Sequence, residues 1–151
     1  MKEKTFLVIS PHADDETFGC GGTILKLIKE GYVGYVLLVT AGDIKFEHKG
    51  DIVKGETRVE EFKKVMKFFG TEHILGFVKG NLESRLDTLP IRDIITIIEN
   101  AINKTKPEKL FIPWKSFHQD HEIVYKACIA ACRPTRKILP KEILAYEHPL
   151  Y

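Results

Sequence analysis

The sequence of 151 residues has the length of one ordinary domain, and 44% of its residues are hydrophobic, enough for one buried core. Its 23 Lys and Arg nearly balance 21 Asp and Glu, and this charge balance argues against a nucleic-acid-binding domain. The apolar run at residues 6–9 is too short for a signal-peptide core, and no apolar segment approaches the roughly 20 residues that span a membrane. We therefore expect one cytoplasmic domain over residues 1–151.

The predicted elements alternate between short apolar strands and longer amphipathic helices. In chain order they are a strand at 5–10, a helix at 22–29, a strand at 35–40, a helix at 57–69 ended by Gly70, a strand at 73–78, a helix at 93–103, a strand at 109–112, a helix at 120–132 and a strand at 143–146. A polar loop is predicted at 42–55. This alternation predicts an α/β fold, a Rossmann-like, doubly wound and mostly parallel sheet with helices on both faces.

Two polar clusters stand out because each follows a predicted buried strand directly. The first is Pro-His-Ala-Asp-Asp-Glu at residues 11–16, and the second is His-Gln-Asp-His at residues 118–121. In an open α/β sheet, ligands bind outside the carboxyl ends of the strands, at the point where the strand order reverses. The first and fourth strands are neighbours at that point. We therefore expect the two clusters to face each other across one crevice.

Such a crevice would crowd several imidazoles and carboxylates together. Carboxylates this close repel one another unless a cation offsets their charge. Mixed His and Asp ligands suit zinc, and a catalytic zinc keeps three protein ligands and one open position for water. The two clusters therefore predict a zinc site, although another divalent metal could be bound there.

Each cluster also has a purely structural interpretation. Asp14 and Asp15 could cap the first helix, because acidic residues are favoured near a helix N-terminus. The second cluster could likewise cap the fourth helix. These interpretations leave His12 unexplained, and they do not explain why the clusters follow neighbouring strands, so we favour the metal site.

The run Gly-Cys-Gly-Gly at residues 19–22 opens the first predicted helix. It lacks the G-x-G-x-x-G spacing of a phosphate-binding loop, and the acidic residues just before it would repel a phosphate. We predict that it allows tight turning and close packing of the helix on the sheet. The three cysteines, Cys20, Cys128 and Cys132, are expected to stay as thiols, with Cys128 and Cys132 buried rather than binding metal.

The chain resembles the LmbE-like, PIG-L family of N-acetylglucosaminyl deacetylases in features that run in order along nearly its whole length. They are Pro-His-Ala-Asp-Asp-Glu-Thr-Phe-Gly-Cys-Gly-Gly, Thr40 and Gly42, Arg58 and Glu61, Phe69-Gly70, Leu-Asp-Thr-Leu-Pro at 86–90, and His-Gln-Asp-His. The acidic cluster with its glycine turn is highly specific. The resemblance implies a zinc-dependent hydrolase that removes the acetyl group from an N-acetylated sugar or glycoconjugate, releasing acetate and a free amine.

The resemblance also implies a function for each polar residue of the clusters. His12, Asp15 and His121 match the metal ligands, and Asp14 matches the general base that takes a proton from the attacking water. His118 matches the residue that, when protonated, stabilises charge on the carbonyl oxygen and acts as an acid. Asp120 is expected to orient His118.

Arg58 and Glu83 fall where such enzymes place sugar-contacting residues. Arg58 could instead pair with Glu61 on its own helix, and Glu83 stands where a shorter Asp is expected. The sequence stops at Tyr151, before the C-terminal segment usual in relatives. One wall of the pocket is therefore expected to be missing or to come from another subunit of a homo-oligomer.

Two other functions are compatible with a metal site in this crevice. A metal-dependent phosphoesterase usually uses Arg or Lys side chains or a second metal, and neither cluster contains a basic residue other than histidine. A non-catalytic binding module would enclose a structural metal with four ligands, often cysteines. Only Cys20 is close enough in sequence to contribute.

Overall fold

A five-stranded sheet carries the fold, as seen in a computed structural model that describes residues 3–45 and 50–148. In chain order the elements are β1 (Thr5–Ser10), α1 (Asp15–Lys29), β2 (Val33–Thr40), β3 (Ile44–Lys45), β4 (Ile52–Val53), α2 (Gly55–Phe69), β5 (Glu72–Phe77), a 3-10 turn (Leu86–Thr88), α3 (Ile91–Thr105), β6 (Lys109–Pro113), α4 (Gln119–Ala131) and β7 (Glu142–Tyr146). The short strands β3 and β4 pair with each other inside the predicted polar loop, of which residues 46–49 lie outside the described residues.

The sheet has the strand order β5-β2-β1-β6-β7, and every neighbouring pair is parallel. Starting from β1, the chain first builds outward through β2 and β5 and then crosses back to β6 and β7. The order therefore reverses between β1 and β6, which is the point where doubly wound folds bind their ligands. The predicted fold class is confirmed, and so is the prediction that these two strands are neighbours.

The central strands are apolar on both sides because helices cover both faces of the sheet. Successive residues of a strand point to opposite faces, so Phe6 and Val8 pack with α1 and α2, whereas Leu7 and Ile9 pack with α3 and α4. Helix α2 ends as predicted at Gly70, whose left-handed φ of 74° suits a residue without a Cβ. The two helical layers bury β1 and most of β2 and β6, whereas the edge strands β5 and β7 are largely exposed.

Helix α1 begins at Asp15, well before the predicted start at residue 22. Its first turns contain the glycine run, which sequence propensity disfavours in a helix, and the helix is kinked at Cys20, where φ is −147°. Gly19 allows this segment to approach the sheet, because a Cβ on Gly19 would lie 2.2 Å from the ring of Tyr146. The Tyr146 hydroxyl donates to Ile9 O at 2.7 Å and keeps the ring in place. Close packing, as predicted for this run, therefore explains the glycine.

We expect Gly19→Ala to lower the free energy of unfolding by about 1–3 kcal/mol, the usual cost of overpacking a core. Gly22 of the same helix is the matched control, because a Cβ there would meet no atom within 4 Å. Gly22→Ala should raise the free energy of unfolding by roughly 0.5–1 kcal/mol, since alanine is the better helix former. Urea unfolding of both variants measures the difference, and a Gly19→Ala chain as stable as the wild type would contradict this account of the packing.

Cys128 lies in the hydrophobic core, as predicted, whereas Cys132, also predicted to be buried, packs against the core and is only partly buried. Cys20 is buried as well. Burial raises the pKa of Cys132 to about 11, so this thiol stays protonated at neutral pH. Within residues 3–45 and 50–148, no helix is long and apolar enough to cross a membrane.

Candidate metal centre

Both polar clusters lie at the carboxyl ends of β1 and β6 and meet in one crevice, as the strand order requires. The structure brings together His12 and Asp15 from the first cluster with His118, Asp120 and His121 from the second. All of them are buried except His118, which is partly buried. The end of β7 and the loop between β5 and α3 also reach this crevice.

The Asp15 carboxylate lies at the centre of the cluster. Its Oδ2 lies 3.4 Å from His12 Nδ1 and 3.2 Å from His121 Nε2, and it accepts the backbone N–H of His12 at 2.9 Å. Burial alone would raise the pKa of Asp15, but hydrogen bonds and positive charge from the two histidines hold it well below its usual value. The buried carboxylate is therefore ionised and faces two imidazole nitrogens.

The other ring nitrogen of His12 bonds to Asp120. His12 Nε2 lies 2.8 Å from Asp120 Oδ2, and the same carboxylate accepts the backbone N–H groups of Ser84 and Leu86 at 2.6 and 3.0 Å. Burial lowers the pKa of His12, but the bonds to Asp120 and Asp15 outweigh it and raise the pKa to about 10. The resemblance implies that Asp120 orients His118, but this carboxylate bonds His12 instead. The backbone N–H of Asp120 donates to His118 Nδ1 at 3.2 Å.

His121 repeats the arrangement of His12. Its Nδ1 lies 3.0 Å from Ser116 Oγ, while its Nε2 faces Asp15. In metal sites, a ligating histidine usually donates its second N–H to a protein acceptor, which fixes the tautomer and the ring orientation. Both histidines are held in this way, with the remaining nitrogen directed toward Asp15.

The distances from Asp15 Oδ2 to the two histidines fit zinc. Two ligand atoms at about 2.0 Å from a tetrahedral zinc lie roughly 3.3 Å apart, and the distances from Asp15 Oδ2 to the two ring nitrogens are 3.4 and 3.2 Å. One carboxylate oxygen and two imidazole nitrogens are also the donor types that a catalytic zinc takes. A cation at this point would offset the negative charge that Asp15 and Asp120 bring into the crevice.

His118 offers an alternative third ligand. One nitrogen from each of His12, His118 and His121 can be chosen so that all three lie within 4.8 Å of one another. However, His118 Nδ1 already accepts the Asp120 backbone N–H, and burial together with the charges of His12 and His121 lowers the pKa of His118. Asp15 differs from His118 in that its Oδ2 lies within 3.4 Å of a ring nitrogen of both other histidines.

Asp14 occupies the N-cap position of α1, but its side chain makes no capping hydrogen bond there. Desolvation and the neighbouring charge of Asp15 raise the pKa of Asp14. His118, by contrast, does cap α4 through the bond from Asp120. The capping interpretation thus describes part of the second cluster and does not explain the first.

Arg58 and Glu83 lie beside this crevice and bond to each other. Arg58 Nη1 donates to Glu83 Oε2 and, at 3.3 Å, to Gly42 O, while Glu83 Oε2 also accepts the Gly42 N–H at 2.8 Å. The alternative pairing of Arg58 with Glu61 is therefore wrong. Both charges of the pair influence the pKa of Asp14: the Arg58 charge lowers it, and the Glu83 charge raises it.

Three polar residues of the crevice are not predicted from the sequence. Ser116 bonds His121, Ser84 bonds Asp120 through its N–H, and His148 Nε2 lies 3.3 Å from Asp15 Oδ1. Ser84 has a left-handed φ of 59°, which is unusual for a residue other than glycine. Single serines carry no motif, but His148 lies two residues after the end of β7, and the rule that ligands bind at the carboxyl ends of strands could have indicated it.

A family model described as PIG-L, GlcNAc-PI de-N-acetylase, matches residues 7–132. The chain belongs to the PIG-L family. Members of the PIG-L family are metal-dependent N-deacetylases. The matched range includes both polar clusters and ends just after α4.

Two curated relatives in this family are named deacetylases. The uncharacterized deacetylase YaiS of Escherichia coli K12 is 29% identical over 154 residues, covering 98% of this chain and 76% of YaiS. The diacetylchitobiose deacetylase of Thermococcus kodakarensis is 31% identical over 125 residues, covering 78% of this chain and 45% of that protein. The chain thus spans about half the length of the second relative.

Solved structures share the fold at lower sequence identity. A conserved protein from Thermus thermophilus matches with a TM-score of 0.73 at 20% identity, over 95% of this chain and 66% of that one. The 4-carboxy-2-hydroxymuconate hydratase of Pseudomonas putida matches with a TM-score of 0.68 at 21% identity, over 90% of this chain and 62% of that one. Because one of these proteins is a hydratase, the fold alone does not specify the reaction.

Proposed function

We propose that this PIG-L family chain is a zinc-dependent N-deacetylase that acts on an N-acetylated sugar. One observation carries the proposal: the buried Asp15 carboxylate faces two histidines whose other nitrogens are bonded to Asp120 and Ser116. Asp14, next in the chain to Asp15, supplies a second carboxylate at the same place. The name of the Thermococcus relative, a diacetylchitobiose deacetylase, supports a sugar acetamide as substrate.

His12, Asp15 and His121 would hold the metal, with Nδ1 of His12 and Nε2 of His121 as the nitrogen ligands. A bound zinc supplies Lewis-acid chemistry and lowers the pKa of a water ligand to about 7. Amide hydrolysis at neutral pH needs such a nucleophile. With a metal bound, the hydrogen bonds to Asp120 and Ser116 would keep both imidazoles in the tautomer that leaves the ligand nitrogen unprotonated.

Asp14 would transfer the proton, and His118 would stabilise the charge that develops on the substrate. Asp14 accepts a proton from the attacking water, which then adds to the acetamide carbon. His118 Nδ1 accepts the Asp120 N–H, so its Nε2–H is the group that donates to the carbonyl oxygen as negative charge develops there. When the C–N bond breaks, the leaving nitrogen takes the proton that Asp14 accepted from the water, His118 keeps its Nε2–H, and acetate and an amino sugar are released.

The Arg58–Glu83 pair would contact the sugar. Glu83 accepts the Gly42 N–H, and Arg58 donates to the Gly42 carbonyl oxygen. These bonds fix the directions of the remaining donor and acceptor atoms of the pair at the edge of the crevice. The pair also bears on the phosphoesterase alternative. Arg58 is a cation beside Asp14, but Glu83 neutralises it, and a clamp for a phosphate group would need an unpaired positive charge.

A non-catalytic metal module is less well supported than an enzyme. A structural zinc is usually enclosed by four protein ligands, often cysteines, and Cys20 is the cysteine closest in sequence to the clusters. The Cys20 thiol instead contacts Glu16 O at 3.4 Å and packs in the core between α1, α2 and the sheet. Burial raises the pKa of this thiol, which opposes the thiolate that zinc requires.

The test is to incubate the zinc-loaded chain with N-acetylglucosamine and with N,N'-diacetylchitobiose, and to measure acetate and free amine. We expect the two products in equal amounts from at least one sugar, and no phosphate from p-nitrophenyl phosphate under the same conditions. Phosphate release without acetate would favour the phosphoesterase. A metal-loaded chain that turns over neither class of substrate would favour the non-catalytic module.

A further inference from the structure

His148 lies two residues after the end of β7, and its ring reaches the candidate metal centre. Its Nε2 lies 3.3 Å from Asp15 Oδ1, and its side chain is only 9% exposed. Its ring also contacts Phe18, with the two ring centres 5.9 Å apart. His148 is therefore a buried imidazole in contact with the central carboxylate.

The contacts of Asp15 are divided between its two oxygens. Oδ2 faces the ring nitrogens of His12 and His121 and the His12 N–H, whereas Oδ1 faces His148. A carboxylate bound to metal through one oxygen is free to rotate unless its second oxygen is also held. Ligating carboxylates, like ligating histidines, are usually hydrogen-bonded by an outer partner for this reason.

The backbone near His148 is fixed to both strands that build the crevice. Two residues before it, the Tyr146 hydroxyl donates to Ile9 O of β1 at 2.7 Å. The Tyr146 carbonyl accepts the backbone N–H of Trp114, which follows β6, also at 2.7 Å. His148 is thus only two residues from Tyr146, whose hydrogen bonds to β1 and to the residue after β6 fix the backbone there.

We propose that His148 is a positioning residue of the metal centre. Its Nε2–H donates to Asp15 Oδ1 and so directs Oδ2 toward the metal. This inference deepens the proposed function and rests on it, since it takes Asp15 as a ligand. Loss of an outer partner of this kind typically weakens metal binding by about 10- to 100-fold.

The experiment compares His148→Phe with His148→Gln in the full chain. Phenylalanine keeps a ring beside Phe18 but has no N–H, whereas the glutamine amide places a donor near the position of Nε2. Zinc affinity is measured by competition with a chromophoric chelator, and the unfolding temperature of each metal-free chain is recorded. We expect His148→Phe to bind zinc about 10- to 100-fold more weakly, and His148→Gln to recover most of that loss.

Phe18→Ala is the control, because it removes the ring packed on His148 and leaves the contact with Asp15. We expect its zinc affinity to be within about threefold of the wild type. Wild-type affinity in His148→Phe, or an equal loss in the Phe and Gln variants, would overturn the proposal. If His148→Phe does not fold, His148→Ala provides the same comparison with a smaller side chain. A wild-type chain that binds no zinc would instead overturn the proposed function itself, so the two failures are distinguishable.

Discussion

Replacing Asp14 with asparagine should lower the rate of acetate release by about 10²-fold or more while the metal stays bound. Asparagine keeps the size of the side chain but cannot accept the proton of the attacking water. Metal should stay because the three proposed ligand atoms belong to His12, Asp15 and His121, which contact one another without Asp14. The measurement is kcat together with the zinc content of the same purified sample.

The control for this variant is Asp87→Asn, which makes the same chemical change at an exposed position in the 3-10 turn. Its rate and its zinc content should match those of the wild type. An Asp14→Asn chain that loses zinc would show that Asp14 is a ligand. A chain that keeps its full rate would show that Asp14 is not the base.

Asp15→Asn is expected to have the opposite profile, with zinc lost first and activity lost as a consequence. The carboxylate oxygen that faces two imidazoles becomes part of a neutral amide, which is a poor zinc ligand. The loss should exceed the roughly 100-fold upper range for an outer partner. Chelator competition measures the affinity, and elemental analysis after dialysis shows how much zinc remains.

The two asparagine variants make the same change at adjacent positions, so each serves as a control for the other. Metal retained in Asp14→Asn and lost in Asp15→Asn supports the assignment of base and ligand. The reverse result would mean that the two residues have each other's functions. Equal loss of zinc in both variants would indicate that the whole loop after β1 has been disturbed.

The strand pattern predicts most of the fold because the buried strands have a strong local signal. β1 is predicted with its exact bounds, since its six residues are apolar or small and are all buried. The order of the sheet then follows from the βαβ rule. The start of α1 is not predictable in the same way, because glycines at positions 19–22 disfavour a helix locally. Packing on Tyr146, which lies far along the chain, stabilises the helix there.

The sequence predicts which residues meet at the metal centre better than it predicts how they pair. Strand order alone places both clusters at the reversal between β1 and β6. The pairings depend on side-chain directions that exist only in the folded chain. Asp120 bonds His12, and Glu83 bonds Arg58. His148 has no motif around it, so it is found only when β7 is placed next to β6.

If the chain hydrolyses the acetamide with one metal held by His12, Asp15 and His121, a metal titration tests this most directly. The metal-free chain is given increasing amounts of zinc, and the rate of acetate release from the best N-acetylated sugar is measured at each step. The three-ligand site predicts a rate that is near zero without metal and that reaches its maximum at about one zinc per chain. A rate that does not depend on added metal, or that rises only beyond about two zinc ions per chain, would contradict the account.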